Sequence, residues 1–127
     1  MERMLYVTSK ALEGKPRLIG VLSENDGRYK FEYKLGGKLQ EWFLLIDEFP
    51  DVNKVYEGAE VEQFIFRTIP REDNFYIKEF MESYNLARYD VWDMLKAFGP
   101  NNVSKQDAFL YEELPEGVIL YEQLETV

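Results

Sequence analysis

A chain of 127 residues, 46% apolar, 16% aromatic and 31% charged, is long enough to hide roughly two thirds of the surface its unfolded form exposes, so it needs no metal or disulfide to hold a core. With neither cysteine nor histidine, it has no thiol nucleophile, disulfide, zinc-finger site, haem anchor, Ser-His-Asp triad or imidazole base, and any chemistry would fall to carboxylates, lysines, hydroxyls and backbone groups. The net charge of −9 is uneven: up to Lys38 eight Lys or Arg stand against five Asp or Glu, and from Leu39 onward seven stand against nineteen. A pI near 4.6 repels a phosphate backbone, which predicts no direct nucleic-acid binding and favours solubility and basic partners.

The longest apolar run, Trp42 to Ile46, is far shorter than the roughly 20 residues needed to cross a bilayer. Residues 1–9 include Glu2 and Arg3 and lack the apolar stretch and small-residue cleavage site of a leader. The expected location is therefore the cytoplasm, with which the absence of cysteine agrees, and no membrane contact is expected.

In chain order the first third reads as β-structure. Met4 to Val7 is a short strand, and Glu13 to Pro16 form a turn before a strand over Leu18 to Leu22. Asn25, Asp26 and Gly27 supply the left-handed positions of a tight hairpin. Tyr29, Phe31, Tyr33 and Leu35 then alternate with Lys30, Glu32 and Lys34, which sets aromatic residues on one face of a strand and charges on the other. Gly20, inside the first strand of that hairpin, marks a bulge or a close backbone approach. Gly36, Gly37 and Lys38 do not make a phosphate loop, because Leu39 stands where Ser or Thr and a helix should follow. Trp42 to Ile46 reads as a buried strand ended by Pro50.

From Gly58 the period becomes helical. Val61, Phe64, Ile65 and Thr68 fall on one face, Glu60 and Glu62 sit in the first turn where the helix dipole favours them, and Pro70 ends the run. Ile77, Phe80, Met81 and Tyr84 repeat the spacing behind Asp73 or Asn74 as cap. Val91, Met94, Leu95 and Phe98 follow behind Asp90, with a glycine stop at Gly99 and Pro100. All three stripes are expected in the core. After a polar loop from Asn101 to Asp107, strands are expected at Ala108 to Tyr111 and Val118 to Tyr121 around a turn at Pro115 to Gly117. Strands, then three helices, then strands predict one α+β domain over residues 1–127, with about three helices inserted before the final strands of a small antiparallel or barrel-like sheet.

The ordered pieces of the chain resemble a known family. Gly20, Val21, Leu22 and Ser23, the turn glycine Gly27, and Phe31 with Tyr33 are similar to the G-x-L-S, glycine turn and F-x-Y that open the N-terminal domain of HipA-like serine/threonine kinases. Val61, Phe64 and Pro70 resemble a helix of that domain ending in a turn and proline. Leu86, Asp90, Leu95 and Gly99 resemble its D-x-x-x-L-L-x-x-x-G helix, and Leu114 to Gly117 its closing L-P-E-G. Together these cover Leu18 to Gly117. The chain departs from the family in two places. Trp42 to Pro50 stands in place of an alternating P-L-S-L-S-L-P strand, and Pro100 with the loop Asn101 to Asp107 replaces the family's continuation after Gly99. The resemblance extends to the N-terminal domain only, with no catalytic aspartate loop and no D-F-G. It therefore implies a non-catalytic chain like the small subunit of split toxin–antitoxin systems, one that docks on and restrains a HipA-like kinase protein. A helix-turn-helix DNA-binding protein would be a companion in the same complex.

Twenty aromatic residues in 127 cannot all be interior, and aromatic and arginine side chains dominate binding energy at protein interfaces. In the family, the turn after the first helix lies toward the kinase body. The resemblance thus names Phe66, Arg67, Ile69, Pro70 and Arg71 as partner-contact residues, with Trp42 as a further candidate from the divergent strand. It names no catalytic, cofactor-binding or metal-ligating residue. Two alternatives stand beside this reading. An acidic mimic would present Glu57, Glu60, Glu62, Glu72, Asp73, Glu79, Glu82, Asp90 and Asp93 to a basic nucleic-acid-binding protein, with an affinity that falls steeply with salt. A carboxylate-dependent hydrolase would need facing acids, and the sequence neighbours Asp47/Glu48 and Glu112/Glu113 make poor dyads because adjacent strand residues point to opposite faces.

Overall fold

Asp26 and Gly27, at φ 52° and 82°, carry strand β2 (Leu18–Asn25) round into β3 (Arg28–Tyr33), with Asn25 opposite Arg28 as the closing pair. Two consecutive left-handed positions form the two-residue turn whose twist suits a hairpin. In this computed structural model, which describes residues 2–9, 17–34, 46–101 and 108–118, β1 (Arg3–Ser9) pairs with the other side of β2 and with β5 (Ala108–Tyr111), while β4 (Tyr56–Glu57) pairs with β3. The order is β4-β3-β2-β1-β5 and every pairing is antiparallel. Helices α1 (Ala59–Thr68), α2 (Ile77–Ser83) and α3 (Val91–Phe98) stand between β4 and β5 in the chain. The fold is α+β, and among the described residues the sheet is open rather than closed into a barrel.

One face of the sheet carries the core. Leu5, Val7, Leu22, Phe31, Tyr33, Tyr56, Ala108 and Leu110 share that face by register, and all are buried against Val61, Phe64 and Ile65 of α1 and Trp92, Met94 and Leu95 of α3. Gly20 has both features its position suggested. Val7 pairs with Gly20 and Thr8 with Leu18, so the register slips at Ile19. A Cβ on Gly20 would lie 2.5 Å from the Phe31 ring and 2.7 Å from the Glu32 carbonyl oxygen. Glycine is what lets the Phe31 ring lean across β2.

At one end of that face a carboxylate is held inside. Glu24 receives the Arg3 guanidinium on Oε2 (Nε at 2.7 Å) and the Gly27 amide on Oε1 (3.0 Å), and Arg3 lies 4.9 Å from the centre of the Trp92 ring. The Gly27 amide, and after it Arg3, hold the Glu24 carboxyl below the ordinary carboxylate range. A lowered folded-state pKa gives stability that is present above the unfolded value and lost as pH falls through the folded one. Glu24→Gln is therefore expected to lower the melting temperature at pH 7, and the gap from the parent should close below about pH 4. A gap that stays constant from pH 7 to 3 would show that shape rather than charge holds this corner.

Some expectations need correction. The α2 stripe stops at the edge of the core: Ile77, Phe80, Met81 and Tyr84 are all only half-buried, Ile77 and Met81 pack against the core cluster, and no residue of α2 is fully buried. A seven-residue helix has too few turns to form a wide buried face, and this one rests on the outside of α3, with Phe80 and Tyr84 meeting the Phe98 ring at 5.8 and 4.6 Å. Its N-cap is Tyr76, without a side-chain cap; Asn74 instead accepts the Tyr76 amide at 2.8 Å, and Asp73 does not cap it. Asp90 does cap α3, accepting the Asp93 amide at 3.0 Å. The buried side of α3 is Trp92, Met94 and Leu95, while Val91 and Phe98 are half-buried. α3 does stop at Gly99, in right-handed backbone (φ −55°) that opens a 3-10 turn, Gly99–Asn101; its smallness is needed because a Cβ would lie 2.7 Å from that of Leu110. Ile46 is buried but not in a strand, and β4 was not anticipated. Trp42 to Leu45, Leu35, Gly36 to Lys38, the turn at Glu13 to Pro16 and Ile119 to Tyr121 lie outside the described residues.

Candidate functional site

The turn that follows α1 is built by its last residues. The inward stripe is Val61, Phe64, Ile65 and Thr68, as the 3.6-residue period requires, which leaves Phe66 and Arg67 to the sides. Arg67 grips Glu48 with both arms of its fork, Nε to Oε2 at 2.5 Å and Nη2 to Oε1 at 2.8 Å, and lies 5.0 Å from the centre of the Phe64 ring. Two parallel charge-assisted bonds fix both position and plane, so this pair pins the segment before Phe49 to the side of α1. Ile69 turns extended and enters the core, 3% exposed. The Pro70 carbonyl accepts the Tyr89 hydroxyl at 2.8 Å, which ties the start of the next segment to the residue before the α3 cap. Burial raises the Tyr89 hydroxyl above its ordinary value, with Glu72 adding to the rise. That hydroxyl stays protonated and able to donate at neutral pH.

Of the residues named from the resemblance, these placements leave Phe66, Pro70 and Arg71 at least partly exposed. Phe66 is half-buried at the rim of the core, Pro70 is half-buried, and Arg71 is exposed, its guanidinium 4.3 Å from the centre of the Phe66 ring. Arg67 is committed to Glu48 and Ile69 to the core, so neither offers its side chain freely to a partner. Trp42 lies outside the described residues.

Sequence reasoning missed the neighbouring aromatic pair. Phe75 and Tyr76, 91% and 53% exposed, meet edge to face at 5.0 Å at the tip of the same connection. The signal was legible: Phe75 directly follows the polar run Arg71–Asn74 and precedes the Ile77 stripe, where no core period calls for an aromatic residue. At the opposite end of α1, a cleft of about 310 Å³ opens between the β2–β3 turn and the helix start, lined by Gly27, Arg28, Tyr29, Glu57, Gly58 and Glu62. Its charges are of mixed sign. Among the described residues no group of three or more acids is placed to hold a metal ion. Of the sequence-neighbour acids, Glu48 is engaged by Arg67. Comparison of the chain with protein-family models, curated proteins and solved structures found no match.

Proposed function

We propose that this chain is a non-catalytic, protein-binding regulatory domain that docks on a HipA-like kinase chain and restrains it, as an antitoxin or accessory subunit. The observation that carries this reading is the outward face of the α1–α2 connection, where an aromatic ring at the core's rim is topped by an exposed arginine, Phe66 under Arg71. Aromatic and arginine side chains combine large contact area with directional hydrogen bonding and anchor interfaces more often than other types. The ordered resemblance from Leu18 to Gly117 names the partner class and the same turn.

The test uses a shortened HipA-like kinase chain, sought first in the reading frame beside this one. The expected result is a complex that co-purifies and has reduced phosphotransfer, with none by this chain alone. Phe66→Ala should weaken the complex by about 2 kcal/mol or more, while costing less stability than the roughly 3 to 5 kcal/mol of a fully buried Phe. If the variant loses that full amount and its folded molecules bind as before, Phe66 merely closes the core and the docking face lies elsewhere. No complex with any such kinase chain would overturn the partner class. An affinity that collapses steeply between low and moderate salt would point instead to the acidic mimic.

A further inference from the structure

Phe75 is almost wholly in water, yet the backbone around it is tightly specified. The Asn74 amide bonds the Arg71 carbonyl at 3.0 Å, the Tyr76 amide bonds Asn74 Oδ1 at 2.8 Å, and the Ile77 amide bonds the Asn74 carbonyl at 3.0 Å. The Tyr89–Pro70 bond closes the base of the loop. An aromatic ring left in water forfeits its burial energy, and holding it there on a hydrogen-bonded turn removes ordering cost from any contact it makes. The exposed charges carried by this connection and by α2 are mostly negative, Glu72, Asp73, Glu79 and Glu82 against Lys78 and Arg71, which lies over the Phe66 ring.

We propose that Phe75 and Tyr76 form the anchor of a docking surface for a protein partner whose apolar socket is rimmed by Lys or Arg. This deepens the protein-binding reading above and rests on it, but not on the kinase as partner. The charge around the pair selects the occupant. A second copy meeting this face through a two-fold would set the same acids against each other, and the net charge of −9 opposes such self-association. An anionic membrane surface or a phosphate backbone meets the same repulsion. Basic side chains at the rim of an apolar socket satisfy both the rings and the acids, and would speed encounter by electrostatic attraction.

The experiment places a benzophenone photo-crosslinking residue at position 75 of the full chain in the cells that produce it, with position 113, an exposed Glu, as control. Adducts are mapped to the residue by mass spectrometry. The expected result is a dominant adduct to one protein at a site with apolar residues flanked by Lys or Arg. With that protein purified, Phe75→Ala and Tyr76→Ala together should lower affinity about 30-fold or more with an unchanged circular dichroism spectrum, and Glu72→Lys with Asp73→Lys should slow association. No adduct above the control, an adduct within the same chain, to a second copy or to lipid, or unchanged affinity of the double variant would each overturn the proposal. An adduct to a basic-rimmed protein unrelated to kinases would keep it and remove the kinase reading. A kinase complex that needs Phe66 but neither crosslinks through position 75 nor weakens in the double variant would do the reverse.

Discussion

Phe31→Ala is expected to be the most damaging single substitution in the described core. Phe31 is fully buried at the centre of the aromatic cluster, stacked on Phe49 at 4.4 Å with the planes 12° apart, edge-on to Tyr33 at 4.8 Å and tilted against Phe64 at 6.3 Å. Truncation removes the ring's transfer energy and leaves a hole that the strand backbone cannot close, together about 3 to 5 kcal/mol. Each well-arranged ring pair adds about 0.5 to 1.5 kcal/mol beyond area burial, which places this site at the upper end. A domain of this size has only about 5 to 15 kcal/mol to lose, so a fall in melting temperature of roughly 10 °C or more, or partial unfolding at 25 °C, should appear by calorimetry or denaturant titration. A loss below about 1.5 kcal/mol would mean that Phe49, Tyr33 and Phe64 collapse into the space and that the cluster is not the rigid centre of the fold.

Tyr33→Phe is the second, because a single oxygen holds a connection. The Tyr33 hydroxyl donates to the Phe49 carbonyl at 2.5 Å and accepts the Ile46 amide at 2.8 Å, so it clamps the Ile46–Phe49 segment to the end of β3. Removing it strands two buried backbone groups, at about 1 to 3 kcal/mol each, for an expected loss of about 2 to 6 kcal/mol. Burial also pushes the phenol well above its ordinary value of 10. A raised folded-state pKa gives stability that is complete below the unfolded value and lost as pH rises through the folded one, since a phenolate cannot donate to Phe49. The gap between parent and Tyr33→Phe should therefore be constant from pH 6 to 9 and narrow above about pH 10. A variant as stable as the parent at pH 7 would show that water or a neighbouring donor replaces the hydroxyl.

Both residues were visible in the sequence as the inward side of an alternating strand; their roles were not. Alternation at Tyr29, Phe31 and Tyr33 states which face is apolar. Whether a ring stacks, and whether a hydroxyl meets a backbone group thirteen and sixteen residues away, depends on a connection that has no period of its own. The same holds at the candidate site. The 3.6-residue period of α1 placed Val61, Phe64, Ile65 and Thr68 inward and left Phe66 to the side, but the commitment of Arg67 to Glu48 and of Ile69 to the core arose from a loop and a helix end meeting in space.

By itself the sequence determined what is local and periodic. The Asp26–Gly27 turn, the strand Ala108–Tyr111, the buried stripe of α1, the Asp90 cap and the α+β class all follow from interactions between residues a few positions apart. The tertiary structure alone decided the rest. It placed β1 between β2 and β5, gave β3 a two-residue partner in β4, and brought Leu110 so close to Gly99 that no Cβ fits there. It also kept α2 at the edge of the core: its spacing is that of a core helix, but Phe98 presents only the flank of α3 for it to cover, and the connection before it leaves Phe75 in solvent. Periodicity says which residues share a face, and only the packing of distant segments says what, if anything, that face meets.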